Sequence, residues 1–296
     1  MNWLLATGML GVVHFFALLP GGHFFVSTAQ NLPECRITVL DLKPGEATVI
    51  QSGGSTWLID CGNPASYLRT IRPFLESCGI NRLDGLVLTH GAAGSIGAYQ
   101  DVIDDFAPRS IYESSVTDRS STRRAFHAAL EKAAVPKTSV ETGDQLQIGP
   151  GVNCTVLFPP AGFVASAAAD KSLVLRIDHG GTRVLLMSDS GFTGEHWLME
   201  HAQDIRASIV VLGGQSADLA GTDEFIGAVH PYAVIRGAPG FGAEAGEERR
   251  WAGGLYGRRV TPFLQSDAGA VTIDASRSGA SMAGFVNGQR LVRRSD

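Results

Sequence analysis

The chain has 296 residues, a formal charge of −5 and 36 glycines. That is enough length for one large α/β domain or two modest ones, with too little positive charge to hold nucleic acid through a global field. Its four cysteines, Cys35, Cys61, Cys78 and Cys154, include no C-x-x-C pair, which excludes a zinc knuckle and a dithiol redox motif.

From Met1 to Pro33 there is no Lys, Arg, Asp or Glu, and "MNWLLATGMLGVVHFFALLP" is apolar almost throughout. A helix over Met1 to Leu19 would be roughly 28 Å long, close to the ~30 Å hydrocarbon core of a bilayer. Residues 1–27 are therefore expected as a transmembrane anchor, its helix ending at Pro20-Gly21-Gly22, and residues 28–34 as a linker. A cleaved secretory signal is the rival reading. Ser27, Thr28 and Ala29 support it, while the missing basic n-region and the length of the apolar block oppose it.

The soluble part opens with three short apolar runs, "RITVLDL", "EATVIQS" and "TWLIDCG", with "SGGS" as a hairpin connector. "ASYLRTIRPFLESCG" has helical spacing and stops at Gly79. "LDGLVLTH" reads as a strand buried on both faces. The next elements are a helix at "IGAYQDVIDDF", a short strand at "SIYES" and an amphipathic helix at "SSTRRAFHAALEKAAV".

A second half repeats the grammar. "VNCTVLFPP" is a strand, and "SLVLRIDHGGTRVLLMSD" is a hairpin turning at His179-Gly180-Gly181-Thr182. "TGEHWLMEHA" and "TDEFIGAVH" are helices, the latter capped by Thr222, and "SIVVLGG", "YAVIRGA", "RVTPFL" and "GAVTIDA" are strands. Strands first and alternating units after, occurring twice, predict two sheets face to face with helices outside. The cysteines then read as small core residues, with one or two disulfides open in an oxidising compartment. The pairs Arg249 with Arg250 and Arg258 with Arg259, and Arg290, Arg293 and Arg294 in the tail, read as solvated surface.

The order "VLDLKPGEATVIQSGGSTWLIDCG", "LDGLVLTHGAAGSIGA", "KSLVLRIDHGGTRVLLMSDS", "SIVVLGGQSADLAGTDEFIGAVHPYAVI" resembles the metallo-β-lactamase-fold domain of ComEC-type competence proteins over about residues 36 to 275. The matching family elements read approximately LDVGQGDA, LIDtG, LTHxHxDHxGG, a strand ending in GD, and a strand ending in GHHGS. The resemblance implies an α/β fold, a four-layer αββα sandwich, over residues 35–276, with 277–296 as a C-terminal extension. It also implies a DNA-uptake context, with a membrane anchor, an extracytoplasmic soluble domain, a multi-helix channel protein as partner, and weak contact with single-stranded DNA.

Residue by residue, the ligand pattern HxHxDH falls on His90, Ala92, Gly94 and Ser95, so one of four positions keeps its side chain. Asp189 keeps the acid of the GD element, behind Ser188. The HHGS element falls on Gly213 to Ser216, and no histidine lies between His201 and His230. A catalytic zinc needs about three protein ligands and an open position, and a two-metal hydrolase needs two such sets. His90 and Asp189 are thus expected as vestigial metal positions, too few to bind an ion, with no catalytic residue and no cofactor. Zinc or manganese enters only under the competing reading, an active metal-dependent phosphodiesterase or nuclease with atypical ligands.

Asp60, Gly94, Ser95, Gly214 and Gln215 are expected as structural loop residues around the site, Asp60 orienting its loop through Asx-type bonds. An acid folding in beside His90 and Asp189, from Asp101, Asp104, Glu113 or elsewhere, would add to the donor set. His127, His179 and His230 read as structural. His196 and His201, five apart, do not share a helix face.

Overall fold

Short apolar runs broken by glycine turns form a meander, in which β1 (Cys35–Val39), β2 (Thr48–Ser52) and β3 (Ser55–Ile59) pair antiparallel in the computed structural model. Residues 33–43, 45–116, 120–133, 135–165, 167, 169–214, 220–238 and 245–294 are described. The expected anchor, and the linker up to residue 32, lie outside the described residues. Among the described residues no helix is long and apolar enough to cross a membrane. The β2–β3 turn is Gly53-Gly54, with φ of +56° and +88°. A two-residue hairpin turn needs this left-handed pair, and glycine adopts it without a Cβ clash.

The chain then changes to strand–helix units. β4 (Gly85–Leu88), β5 (Ile111–Ser114) and β6 (Lys137–Val140) add in parallel beyond β3. Their connections run through helical residues 64–77 and the helices Tyr99–Phe106 and Ser121–Ala133. A parallel pair cannot be closed by a tight turn, so each connection carries a helix or a longer loop.

The second sheet repeats this order. β7 (Gln145–Gly149), β8 (Val152–Phe158), β9 (Val174–His179) and β10 (Thr182–Leu186) are antiparallel, and β11 (Ile209–Leu212), β12 (Ala233–Arg236) and β13 (Thr261–Leu264) follow in parallel. The expected hairpin turns at Gly180-Gly181 between paired His179 and Thr182. Thr222 caps Asp223–Val229 by accepting from the Phe225 amide, as expected.

Among the described residues the two sheets have nine and seven strands. Alternation along single strands sets the layers. Val87 and Val211 enter the core between the sheets, while Leu86 and Leu88, and Val210 and Leu212, face separate helix-covered clusters. This is the expected αββα sandwich.

The chain finally returns to the first sheet, where β14 (Val271–Ser276) pairs with β1. The segment set apart as an extension, 277–296, supplies β15 (Gly279–Gly284) and β16 (Arg290–Arg294), the outermost strands of that sheet. The domain therefore runs through Arg294. All four cysteines are free, and Cys35, Cys61 and Cys154 are buried. Burial pushes the thiols of Cys35 and Cys154 up to about 12, so they act as core residues and not as nucleophiles.

Candidate functional site

The ends of β3, β4, β10 and β11 meet at one rim of the sandwich, bringing Asp60, His90, Asp189 and Gly213 together. Asp60 is buried and held at φ +58°. One of its oxygens accepts from the Thr89 amide at 2.9 Å and the other from the Thr89 hydroxyl at 2.7 Å. Both bonds run across to the residue that follows β4 rather than within the turn of Asp60 itself. Thr89 Oγ1 also lies 3.1 Å from His90 Nδ1. With the hydroxyl proton directed at Asp60, the imidazole donates from Nδ1 and turns Nε2 toward Asp189, whose Oδ2 is 3.4 Å away.

Sequence reasoning did not count Glu46. Its Oε1 is shut off from solvent, and its carboxyl meets that of Asp189. Burial, and then the Asp189 charge, hold the Glu46 proton on well above the usual carboxylate range. Burial likewise pushes Asp60 up to about 7, against the opposing pull of His90 and the Thr89 hydrogen bonds. A cavity of about 40 Å³, bordered by Glu46, Asp60, Ser188, Gly213 and Gln265, lies beneath. The signal for Glu46 was available, since it is the acid of "LKPGEA", the segment that parallels LDVGQGDA.

Glycine makes this approach possible. A Cβ on Gly213 would run into Glu46 Oε1, the Ser188 carbonyl and Asp189 Oδ1. Gly213→Ala is therefore expected to push Glu46 or Asp189 aside and destabilise the fold by about 1–3 kcal/mol, the usual cost of overpacking. A denaturant titration would read this as a lower midpoint at unchanged slope.

Ser188 carries a second local cost, with φ +47° where the family pattern has glycine. Ser188→Gly is expected to raise stability by about 0.5–1 kcal/mol, by removing a Cβ from the left-handed region. A melting temperature raised by a few degrees checks it.

The other expected loop residues serve as packing. Gly94 and Ser95 lie on the short helix Ala93–Ile96. The Ser95 carbonyl accepts from the Cys61 amide at 2.7 Å, fastening this turn to the end of β3. Gly214 sits against the backbone of Gly237 and Ala238, with no room for a side chain. Gln215 lies outside the described residues. Asp104 accepts from Gln100, and Glu113 is engaged by Arg123, His127 and Lys137 while bordering a small pocket together with His90.

His179 bonds the Gly151 carbonyl and Glu34, His196 pairs with Glu200, and His230 ends its helix at φ +56°. Among the described residues, no three His, Cys, Asp or Glu side chains are grouped to hold a metal ion.

Residues 40–224 match the family described as the Metallo-beta-lactamase superfamily. ComE operon protein 3 of Bacillus subtilis (strain 168) is 26% identical over 220 residues, 68% of this chain and 28% of that protein. Competence protein ComA of Neisseria gonorrhoeae is 25% identical over 236 residues, 78% of this chain and 31% of that protein. The chain thus spans less than a third of the length of these relatives. The metallo-beta-lactamase fold protein YhfI from Bacillus subtilis superposes with a TM-score of 0.54 at 14% identity, covering 78% of this chain and 95% of that one, a likeness of fold. The layered sheets and the match over most of the first three-quarters of the chain lead to one statement of kinship: this protein belongs to the metallo-beta-lactamase superfamily and is similar to ComEC-type competence proteins.

Proposed function

We propose that this is a non-catalytic, metal-site-degenerate metallo-β-lactamase-fold domain that serves DNA uptake as a docking or structural part beside a multi-helix membrane channel. The observation that carries the reading is the ligand loop, in which positions 90, 92, 94 and 95 are His, Ala, Gly and Ser. The donor set does not fit a two-metal hydrolase. His90 and Asp189 face each other, Asp60 has both oxygens engaged by Thr89, and Glu46 adds a carboxyl beside Asp189. Among the described residues no three of these donors are grouped to hold an ion, whereas a single catalytic zinc requires three fixed ligands and an open position. Gly94 also removes the carboxylate that the family pattern places in this loop. The uncharged stretch from Met1 to Pro33 supports residues 1–27 as the anchor, and in this reading the domain is extracytoplasmic and contacts single-stranded DNA weakly.

Glu46 favours one competing reading, an active metal-dependent phosphodiesterase or nuclease with atypical ligands, because it adds a carboxylate beside Asp189. Elemental analysis of the purified full chain after exposure to zinc or manganese separates the two. The expected result is far less than one ion per chain, and no cleavage of single-stranded DNA that chelation abolishes. Near-stoichiometric metal that is lost in His90→Ala, with metal-dependent cleavage, would replace the non-catalytic reading.

A further inference from the structure

The outer face of β14–β16 is a surface that the rim does not use. The helix-covered cluster on the first sheet draws no residue from these strands. In β16, Arg290, Val292 and Arg294 alternate onto this face, in register with Ala283, Ser281 and Gly279 of β15. Arg293 points the other way and stacks on Tyr232. Val292 is 67% exposed, and the turn that precedes β16 presents Phe285 and Val286, 85% and 71% exposed.

Charge is concentrated here against the trend of the chain. Residues 274–294 hold four arginines, Arg277, Arg290, Arg293 and Arg294, against one acid, Asp274, which lies on this face in register with Ser281 and is paired with Arg36, within a protein of net charge −5. Among the described residues no carboxylate pairs with Arg290 or Arg294. Arg290 and Arg294 flanking exposed Val292, with Phe285 and Val286 in the adjoining turn, suit an interface of anionic headgroups over acyl chains.

The route of the chain points to the same place. Cys35 is in register with Ala275, Ala275 with Ala280, and Ala280 with Arg293. Three strand spacings therefore put the start of β1 about 15 Å from β16. Pro33, Asp274, Ser276, Ser281, Val292 and Arg294 border one shallow hollow of about 320 Å³. The uncharged residues 1–32 thus join the described domain beside the arginines.

We propose that the outer face of β14–β16 lies against the anionic headgroups of the bilayer that holds residues 1–27, an inference that rests on the anchor reading above. The arginines then fix which side of the domain faces the membrane.

The test is amide hydrogen exchange on the full chain reconstituted in phosphatidylcholine vesicles, with and without phosphatidylglycerol, with carbonate extraction run alongside. β16 amides are expected to exchange at least about fivefold more slowly with phosphatidylglycerol, the preference one arginine gains at an anionic surface. High salt should reverse the effect. Arg290→Gln/Arg294→Gln, both exposed positions, should lose the protection while staying resistant to carbonate. Unchanged exchange in a carbonate-resistant chain would overturn the headgroup contact and leave the anchor standing. A chain extracted by carbonate would overturn the anchor and this inference with it. Protection that needs an added single-stranded oligonucleotide and ignores phosphatidylglycerol would overturn it in favour of a nucleic-acid surface.

Discussion

Glu113→Gln is expected to lower the stability of the domain by about 3–5 kcal/mol, a large share of the 5–15 kcal/mol a folded domain commonly has. Glu113 and Arg123 are both buried and lie 3.2 Å apart. The guanidinium also donates to the Ser114 and Val116 carbonyls, each at 2.6 Å. His127 and Lys137 converge on the same carboxylate. One anion therefore holds together β5, β6 and the helix Ser121–Ala133. Glutamine keeps the shape and removes the charge, leaving a buried cation without its counter-ion and two further basic groups beside it. Burial alone would push the Glu113 carboxyl up, but His127, Lys137 and Arg123 outweigh it and leave it below the ordinary range. A carboxyl lowered in the folded state stabilises above its unfolded pKa of about 4.3, and that gain is lost as pH falls through the lowered value. Urea titrations from neutral pH downward should thus show the wild type losing its advantage over Glu113→Gln in acid. Equal midpoints at neutral pH would remove the account.

The elements legible in the sequence are those whose own composition dictates them. β4 and β11 are unbroken apolar runs, every residue of which is buried. The glycine pairs at 53–54 and 180–181 announce their hairpins. What was missed depends on partners far away in sequence. β6 is "KTSV", mostly exposed, and is a strand because β5 pairs with it in parallel. β15 and β16 are short, glycine-rich or arginine-rich, and gain order from adding onto β14. The helix Ala245–Gly257 carries four glycines and no clear apolar stripe. At the rim, His90 and Asp189 follow from motif order. Glu46 comes in because Gly213, more than 160 positions later, leaves the space for its carboxyl.

Asp60→Asn is expected to stabilise the protein in a pH-dependent way, by up to about 4 kcal/mol above neutrality and by almost nothing below pH 4. Burial raises Asp60 to about 7 in the folded state, whereas an unfolded aspartate titrates near 3.9. Between those values the folded chain binds the extra proton, so stability falls as pH rises, and the loss is complete once the folded group ionises. Asparagine occupies the same volume, keeps an oxygen for the Thr89 amide and sets an N–H against Thr89 Oγ1, so the link from β3 to β4 survives without a buried charge. It also removes the repulsion between Asp60 and Asp189. Glu46 is raised in both proteins, and the Asp60 charge is one of the causes that raise it, so the difference between wild type and variant reads Asp60 together with its coupling to Glu46. Denaturant midpoints from pH 4 to 8 should diverge steadily up to about 7 and then run parallel. A variant that is weaker by the same amount at every pH would mean that Asp60 is ionised throughout, and that the loop around His90 is organised by a buried anion rather than by a shared proton.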